Sequence, residues 1–245
     1  ITAMGRMTPP EQIFQKTRQM LTGGDQLKGK KVVVSAGPTF EPLDPVRYLS
    51  NRSSGKMGYA LADAAAAYGG KVVLVSGPAN LQTPPGVQIV DIQTAEEMKR
   101  ALTNHCRGAD FLYMAAAVAD YKPSSYNKQK IHRSAKSIKL DLSASPDILK
   151  NLGTNRPKVV VGFALETENL EARALDKMRA KKVDMIVANN PMEKGIEFGS
   201  ESNRVTIFSR GGTKKKLDIM PKFDVAIAII KESLNLAGRK KRGKK

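Results

Sequence analysis

The sequence contains a single cysteine, Cys106, and no long apolar run. One thiol excludes an internal disulfide framework and a metal site built from several cysteines, and it fits the reducing cytoplasm. No apolar stretch approaches the roughly 18 residues that a membrane-spanning helix needs, and no apolar signal segment opens the chain. We therefore predict a cytoplasmic protein without a membrane partner.

Acidic and aromatic residues are also scarce. The chain has 23 Asp and Glu against 41 Lys and Arg, which gives a net charge of +18, and aromatic residues make up 5% with no Trp. Such a charge attracts nucleic acid, anionic membranes or small polyanions, but stacking platforms for single-stranded nucleic acid are few. Six of the seven residues from Arg239 to Lys245 are basic, which is typical of a disordered tail and less often of a nucleic-acid arm. We expect no specific nucleic-acid partner.

Two signatures of nicotinamide-dependent reductases are missing or misplaced. The sequence has no G-x-G-x-x-G string, the pattern that binds a dinucleotide pyrophosphate. Tyr126 and Lys130 satisfy the spacing Tyr-x-x-x-Lys, but they lie in a predicted loop instead of on a helix. A reductase therefore remains only an alternative. His105 and His132 are isolated from other metal-ligand residues, and the ligands of any metal stay unknown.

From Lys31 onward, short apolar strands alternate with amphipathic helices. The predicted strands cover 32–34, 72–75, 87–92, 111–117, 159–162 and 185–188, and the predicted helices cover 55–68, 94–106, a short turn opened by 145–147, 170–182 and 223–236. A hairpin is predicted from 204–209 and 216–220 across Gly211-Gly212. These repeats predict a Rossmann-like three-layer α/β fold with a mostly parallel sheet and an antiparallel hairpin near the C-terminus. Residues 1–29, with a helix over 8–27, form an approach segment, 30–237 one domain, and 238–245 a basic tail.

Ligands bind outside the carboxyl ends of the strands in such sheets, and three segments follow strands there. Small residues at 35–39 would let a ligand approach the backbone, or they form an ordinary turn. The segment 51–58 opens a helix with two Ser, two Gly and a Lys, which predicts either a phosphate site or a plain N-cap. In residues 115–121, small residues are followed by Asp120, which is either a ligand acceptor or a solvated acid.

Two lysine-rich features add possible anion contacts. The polar loop 128–133 could close over a triphosphate, or its lysines are merely solvated. Lys177 and Lys181 lie four residues apart on one helix, where like charges repel and a bound anion or solvent compensates. Cys106, inside a predicted helix, is interpreted as a small core residue.

Together these segments form a specific series of motifs. In chain order they are A-G-P-T-x-E-P-L-D-P-V-R-Y-L-S-N-R-S-S-G-K-M-G, A-A-V-A-D-Y, K-I-x-R, S-P-D-I-L, V-G-F-A-L-E-T and K-x-x-x-K-x-x-D-x-I-V-A-N, followed by the hairpin. In this series the chain resembles the phosphopantothenate–cysteine ligase family over roughly residues 30–235.

The resemblance implies a function in coenzyme A biosynthesis. Members of the bacterial type join 4′-phosphopantothenate to L-cysteine, with CTP as co-substrate and Mg²⁺ as cofactor, through an acyl-cytidylate formed with loss of pyrophosphate. It also implies a homodimer in which the partner completes part of the site. Gly5-Arg6-Met7 and the Pro-Glu that follows resemble the junction behind a flavin-dependent decarboxylase, so we expect this chain to be the ligase half of a bifunctional protein.

The resemblance also assigns residues to roles. Asn51 and Lys130 would be catalytic, Asn51 by stabilising an oxyanion at the acyl group and Lys130 on a flap that closes over the triphosphate. The substrate would be bound by Asn51, Ala116, Ala117 and Asp120. The nucleotide would be bound by Gly37, Ser53, Gly55, Gly58, Asp120, Lys130, Pro146, Asp147, Ile148, Leu149, Phe163, Lys177, Lys181 and Asn189. Cys106 would have no role, because the reacting cysteine is a substrate.

Overall fold

The computed structural model describes residues 7–10, 13, 14, 17, 20, 24–133, 137–193 and 195–242. Its strands are β1 Lys31–Ala36, β2 Phe40–Pro42, β3 Tyr48–Ser50, β4 Lys71–Ser76, β5 Val87–Asp91, β6 Phe111–Met114, β7 Tyr121–Pro123, β8 Leu142–Ala144, β9 Val159–Leu165, β10 Met185–Asn189, β11 Ser202–Asn203, β12 Thr206–Ser209, β13 Lys214–Lys216 and β14 Met220–Pro221. Its helices are α1 Lys56–Ala67, α2 Ala95–His105, α3 Ile148–Asn151, α4 Leu170–Ala180 and α5 Lys222–Arg242, with a 3₁₀ turn at Gly153–Asn155.

Eight strands form the central sheet in the order β13-β12-β10-β9-β6-β1-β4-β5. The six strands from β10 to β5 in that order are parallel, and β12 and β13 add an antiparallel edge. Three two-stranded pairs, β2–β3, β7–β8 and β11–β14, lie outside it. The predicted fold class, a mostly parallel α/β sheet with an antiparallel hairpin near the C-terminus, is confirmed.

Two apolar clusters cover the two faces of the sheet. Val32 and Val34 of β1 pack with α1 and α5 in one cluster, while Val33 packs with α2, α3 and α4 in the other. Alternate residues of one strand thus enter opposite layers, as expected when both faces of a parallel sheet are covered. The layers matter for function because each supplies different helices to the edge where the strands end.

The structure corrects several predicted boundaries. Strand β6 ends at Met114 instead of residue 117, because the next backbone groups bond to the chain after β1, with the Ala117 N–H donating to the Gly37 carbonyl at 2.9 Å. The second hairpin strand is Lys214–Lys216 instead of 216–220, since the Ser209 N–H closes a short turn on the Thr213 carbonyl at 3.0 Å. Pro146 precedes the helix cap instead of lying in the first turn of α3.

At both ends of the chain the structure differs from what the sequence predicts. Helix α5 continues to Arg242, so residues 238–242 of the predicted disordered tail are helical, whereas residues 243–245 lie outside the described residues. Of the predicted helix over 8–27, residues 10, 13, 14, 17 and 20 are helical, residues 8, 9 and 24–27 are not, and the others lie outside the described residues. The sequence predicts a capping box for α2, because Thr94 is followed three residues later by Glu97. The structure confirms it: the Thr94 side chain accepts from the Glu97 N–H, and the Glu97 carboxylate accepts from the Thr94 N–H. No helix in the described part of the chain has the length and apolar character required to span a bilayer.

Replacing Gly58 by alanine should destabilise the fold, because α1 crosses β1 at very close range. A Cβ at Gly58 would lie 2.5 Å from the Ala36 Cβ and 2.9 Å from the Ser35 carbonyl oxygen. We expect Gly58→Ala to lower the free energy of unfolding in urea by about 1–3 kcal/mol. The control Gly238→Ala, in α5 with no atom within 4 Å of its added Cβ, should raise it by about 0.5–1 kcal/mol. Equal stability of Gly58→Ala and wild type would contradict this account of the packing.

Candidate functional site

A cavity of about 790 Å³ opens at the carboxyl ends of β6, β9 and β10. Cavities of roughly 300–1,000 Å³ hold small ligands in proteins. All but two of the predicted site residues line it, namely Asn51, Ser53, Gly55, Gly58, Ala116, Ala117, Asp120, Pro146, Asp147, Ile148, Leu149, Phe163, Lys177, Lys181 and Asn189. The two predicted residues that do not line it are Gly37 and Lys130.

The start of α1 borders the cavity without a side-chain cap. Gly55 adopts the left-handed conformation at φ 76° and serves as N-cap, and no side chain bonds the first turn. The Ser53 hydroxyl accepts from the Gly55 N–H at 3.3 Å instead. Gly55 of this segment is thus the N-cap of α1, and the phosphate site stays a prediction. The uncapped N–H groups and the positive end of the helix dipole make this end suitable for an anion.

Gly37 lies beneath this end and supports residues that line the cavity. Its φ is 73°, and a Cβ there would lie 2.8 Å from the Gly77 carbonyl oxygen, so only glycine fits. Its carbonyl accepts from the Ala117 N–H at 2.9 Å, and a Cβ on Gly55 would lie 3.4 Å from its nitrogen. Gly37 thus positions Gly55 and Ala117; direct contact with the nucleotide stays a prediction.

Asn51 is brought to the cavity by the β2–β3 hairpin. Its side-chain amide donates to the Val118 carbonyl at 3.0 Å, which joins the hairpin to the segment after β6. Ala116 and Ala117 lie on that same segment and line the cavity beside Asn51. An asparagine amide has a second N–H and a carbonyl oxygen, so one donor of Asn51 is available to a ligand next to these small residues.

On the other side of the sheet, α3 and α4 contribute a linked acid and base. Asp147 caps α3 by accepting from the Lys150 N–H at 3.3 Å, and its carboxylate pairs with the Lys181 ammonium at 3.0 Å. Burial acts to raise the pKa of Asp147, but the bonds from Lys181 and Lys150 and their charges outweigh it and hold this pKa below its ordinary value. Part of the Lys181 charge is therefore neutralised within the protein.

Lys177, one turn earlier on α4, has no such partner. The ion pairs and hydrogen bonds of the described residues include none to its ammonium. Loss of hydration lowers the pKa of Lys177 below its ordinary value, although the charges of Glu166 and Asp120 act in the opposite direction. A cation at a cavity wall without a protein partner is suited to an anionic ligand.

Lys130 lies outside the cavity, on the long connection from β7 to β8. This loop is fastened to the β2–β3 turn, where the buried Asp44 carboxylate accepts from the Ile131 N–H at 3.1 Å and Arg47 donates to the Ile131 carbonyl at 2.8 Å. The Lys130 side chain is exposed. Its role on a closing flap stays a prediction.

Sequence reasoning missed one further lysine at the cavity, Lys222, and it treated Lys56 only as part of the segment 51–58. Each is the first residue of a helix, α5 and α1 respectively. A cation is unfavourable at the positive end of a helix dipole. This placement is a signal of a special role, but it does not locate Lys222 at the cavity, because Lys222 lies far from the recognised motifs in sequence.

The described residues contain no cluster of three or more His, Cys, Asp or Glu side chains that could hold a metal by themselves. Asp120 and Glu197 are the cavity carboxylates that form no ion pair within the described part of the chain, and Glu197 accepts a hydrogen bond from the Gly195 N–H at 3.0 Å. Mg²⁺ is commonly held by one or two carboxylates together with substrate phosphates, and the donor set fits that mode. Cys106 is buried, and burial raises its pKa to about 12; its interpretation as a core residue is confirmed.

The fold and the cavity define an α/β domain of the class that binds anionic small molecules at the carboxyl edge of a parallel sheet. The family model described as the DNA/pantothenate metabolism flavoprotein C-terminal domain matches residues 27–236. The chain belongs to this family.

Two curated relatives and one solved structure show more specifically which proteins the chain is similar to. The coenzyme A biosynthesis bifunctional protein CoaBC of Bacillus subtilis is 40% identical over 232 residues, which cover 93% of this chain and 57% of that protein. A cysteine/cysteine sulfinic acid decarboxylase of an unknown prokaryotic organism is 40% identical over 244 residues, covering 96% and 68%. The crystal structure of the C-terminal domain of a CoaBC protein aligns with a TM-score of 0.76 and 36% identity, covering 88% of this chain and all of that one. The chain therefore spans little more than half of the Bacillus relative, and the predicted resemblance to the second half of a bifunctional protein is confirmed.

Proposed function

We propose that this chain ligates 4′-phosphopantothenate to L-cysteine with CTP as co-substrate, giving phosphopantothenoylcysteine, CMP and pyrophosphate. The observation that carries the proposal is a single cavity with positive groups from both layers of the fold. The uncapped start of α1 borders it on one side, and Lys177 and Lys181 of α4 border it on the other. Two polyanions held side by side require this distribution of charge. The relatives named for coenzyme A biosynthesis support the choice of substrates.

In the first step, a carboxylate oxygen of phosphopantothenate attacks the α-phosphorus of CTP. The new P–O bond forms as the bond to the β-phosphate breaks, and pyrophosphate leaves with the electron pair. Little covalent chemistry is needed from the protein, so positioning and charge neutralisation dominate. Lys177 and Lys181 would neutralise the phosphates from one layer while the N–H groups of α1 would bind them from the other.

In the second step, the amine of cysteine attacks the acyl carbon of the cytidylate. An oxyanion develops on the acyl oxygen, and its collapse expels CMP while the amine nitrogen loses a proton. The available amide donor of Asn51 would stabilise the oxyanion. Ala116 and Ala117 have no side chain beyond Cβ, so they would let the acyl group approach.

Mg²⁺ would be held by Asp120 and phosphate oxygens of the nucleotide, and it would neutralise phosphate charge. Lys130 would reach the triphosphate only if its loop moves, because it lies outside the cavity. The Asp44 contact at 3.1 Å fastens that loop at Ile131, the residue after Lys130. We propose that the loop closes about this point when the nucleotide is bound.

The proposal is tested by incubating the protein with 4′-phosphopantothenate, cysteine and Mg²⁺, with CTP or ATP in parallel, and measuring pyrophosphate release. CTP-dependent release that requires phosphopantothenate, and amide product that also requires cysteine, is the expected result. Turnover with ATP alone would keep the ligase reaction and overturn the choice of nucleotide. No turnover with either nucleotide would reject the proposal.

The same protein preparation tests the alternatives. Release of CO₂ from cysteine without a nucleotide would favour the activity for which the second relative is named. Oxidation of a nicotinamide cofactor would favour a reductase. Binding to DNA that falls steeply with salt and persists after removal of residues 239–245 would favour a nucleic-acid function.

We propose that the active form is a homodimer whose subunits contact each other through the two outer hairpins, β2–β3 and β7–β8. We also propose that the chain is fused to a flavin-dependent decarboxylase in the full protein and that it is located in the cytoplasm. Strand β2 contacts β7, and large apolar side chains around both hairpins are exposed. They are Val46, Tyr48, Tyr121, Tyr126, Ile138, Leu140 and Leu142. So many exposed apolar side chains are unusual for a monomer.

Introducing a charge into this surface should therefore separate the dimer. We expect Tyr121→Glu to shift the mass measured by sedimentation from dimer to monomer, because it places a charge where apolar surface is covered. The control Ile219→Glu, at an exposed apolar residue away from both hairpins, should remain dimeric. A monomeric wild type, or a dimer unaffected by Tyr121→Glu, would reject this interface.

A further inference from the structure

One side of the cavity is formed by residues 195–203, which we name the wall loop. Glu197, Phe198, Gly199 and Asn203 of this loop line the cavity. Phe198 is 51% exposed, so a large part of its ring surface is open to contact. An aromatic ring in this position offers a flat apolar surface to a bound molecule.

The wall loop has little apolar anchoring of its own. Among residues 195–202, only Ile196 is buried. The loop is ordered internally by short-range bonds, such as that from the Ser200 N–H to the Glu197 carbonyl at 3.0 Å. Gly195 and Gly199 both have φ near 90°, a backbone conformation that glycine adopts readily. Its attachment to the body of the protein must therefore come mainly from polar contacts.

The ammonium groups of two lysines supply part of these contacts, beside the backbone pairing of β11 with β14 and the bond from the Lys222 N–H to the Glu201 carbonyl at 3.0 Å. The Lys56 ammonium donates to the Gly199 carbonyl at 2.6 Å and pairs with the Glu201 carboxylate. It thereby ties the first turn of α1, at the anion-binding end of the cavity, to the residue that follows Phe198.

Lys222, the first residue of α5, holds the other half of the loop. Its ammonium donates to the Ser200 carbonyl and to the Ser202 carbonyl, the latter at 2.9 Å. Burial, and then the charge of Lys56, lower the pKa of Lys222, whereas Glu201 acts to raise it. Hydrogen bonds from a cation are about twice as strong as neutral ones, so these two carbonyl contacts are a substantial part of the attachment.

Both lysines lie at helix positions that are unfavourable for a cation. Each begins a helix, where the dipole opposes positive charge, and the two charges are close enough to perturb each other. A purely structural link could use neutral donors without this cost. The placement of both lysines at these unfavourable positions is explained if the protein requires the wall loop to be held in place for its function.

We propose that Phe198 contacts the apolar part of a bound substrate, and that Lys56 and Lys222 are positioning residues that hold the wall loop, and hence Phe198, against the cavity. The substrate part is either the nucleotide base or the pantoyl group of phosphopantothenate, since both present apolar surface in a molecule that also carries phosphate. This inference rests on the proposed ligase function and extends its site to Phe198 and Lys222, which the motifs did not indicate.

A double-mutant cycle tests the link between Lys222 and Phe198. We expect Phe198→Ala and Lys222→Met each to raise the KM of the same substrate about tenfold, with kcat changed less. If Lys222 acts through Phe198, the double variant should also show about a tenfold increase instead of a hundredfold one. Lys222→Arg should restore most of the affinity, because a guanidinium can also donate to two carbonyls. The control Lys216→Met removes an exposed lysine of β13 and should leave both KM values unchanged.

The identity of the substrate that loses affinity decides between its two sources. A raised KM for CTP assigns Phe198 to the nucleotide, and a raised KM for phosphopantothenate assigns it to the pantoyl group. Independent, multiplicative effects of the two variants would overturn the proposal, as would effects on different substrates or on neither. Turnover of the wild type in the same assay separates these results from failure of the ligase function itself.

Limited proteolysis provides a readout that needs no turnover. Chymotrypsin cleaves after phenylalanine, and Phe198 is exposed. Lys222→Met should be cut at Phe198 several-fold faster than wild type and Lys216→Met at the wild-type rate. Equal cutting of all three proteins would show that Lys222 does not hold the wall loop.

Discussion

Replacing Asn51 by alanine should reduce formation of phosphopantothenoylcysteine by about 100- to 1,000-fold, the usual effect of losing one oxyanion donor. The first step does not develop this oxyanion, so a first equivalent of pyrophosphate should still be released with CTP and phosphopantothenate. The acyl-cytidylate should then accumulate on the protein. Quenched single-turnover measurements of pyrophosphate and amide product separate the two steps.

Asn51 also bonds to the Val118 carbonyl at 3.0 Å, so a structural effect must be distinguished from a catalytic one. Unfolding in urea measures the structural part, which should be about 1 kcal/mol for one neutral hydrogen bond. Equal loss of both steps in the single-turnover assay would mean that Asn51 positions the hairpin and does not stabilise the oxyanion.

Replacing Lys177 by methionine should raise the KM for CTP by roughly 10- to 100-fold, as expected for a charge-assisted hydrogen bond to a phosphate. Stability should change little, because the Lys177 ammonium has no ion pair or hydrogen bond among the described residues. Titration calorimetry with CTP and urea unfolding measure the two effects. The control Lys216→Met, an exposed lysine on β13, should change neither.

The pKa of Lys177 adds a pH signature to this prediction. Its pKa in the folded protein is lowered, so its charge is lost as the pH rises through a value below the ordinary pKa of a lysine. As the pH rises, the affinity of the wild type for CTP should therefore begin to fall at a lower pH than it would if Lys177 had an ordinary pKa. Lys177→Met should not show this decrease in affinity. An unchanged pH profile in the variant would remove Lys177 from the nucleotide site.

Local sequence signals predicted most of the fold. The apolar runs of β1, β4 and β10 and the capping box at Thr94 gave these elements their correct places. The boundaries that were wrong depend on contacts far apart in sequence. Strand β6 is cut short by backbone bonds to the segment after β1, and the lysines of β13 are a strand only because β12 lies beside them.

The residues of the candidate site likewise include some that local sequence patterns predicted and some whose position depends on contacts far apart in sequence. The residues at strand ends and at the start of α1 could be found, because the carboxyl edge of a parallel sheet is predictable from strand order. Lys222 could not be located there, since only the return of α5 to the face that holds α1 brings it to the cavity. Lys130 is the opposite case, because its motif was recognised in the sequence but the structure places it outside the cavity.

The cavity draws its walls from two layers that lie on opposite faces of the sheet, and this separation bears on how nucleotide preference can change during evolution. Under the proposed function, the helix start of α1 binds only phosphate groups, which CTP and ATP share, whereas the α3–α4 layer supplies Lys177 and Lys181 to the phosphates and also borders the remaining space with Ile148 and Leu149. Substitutions in α3 and α4 can alter which base fits without disturbing the packing of α1 against β1. Selection for a different nucleotide would then leave its traces in one layer of the molecule and spare the other.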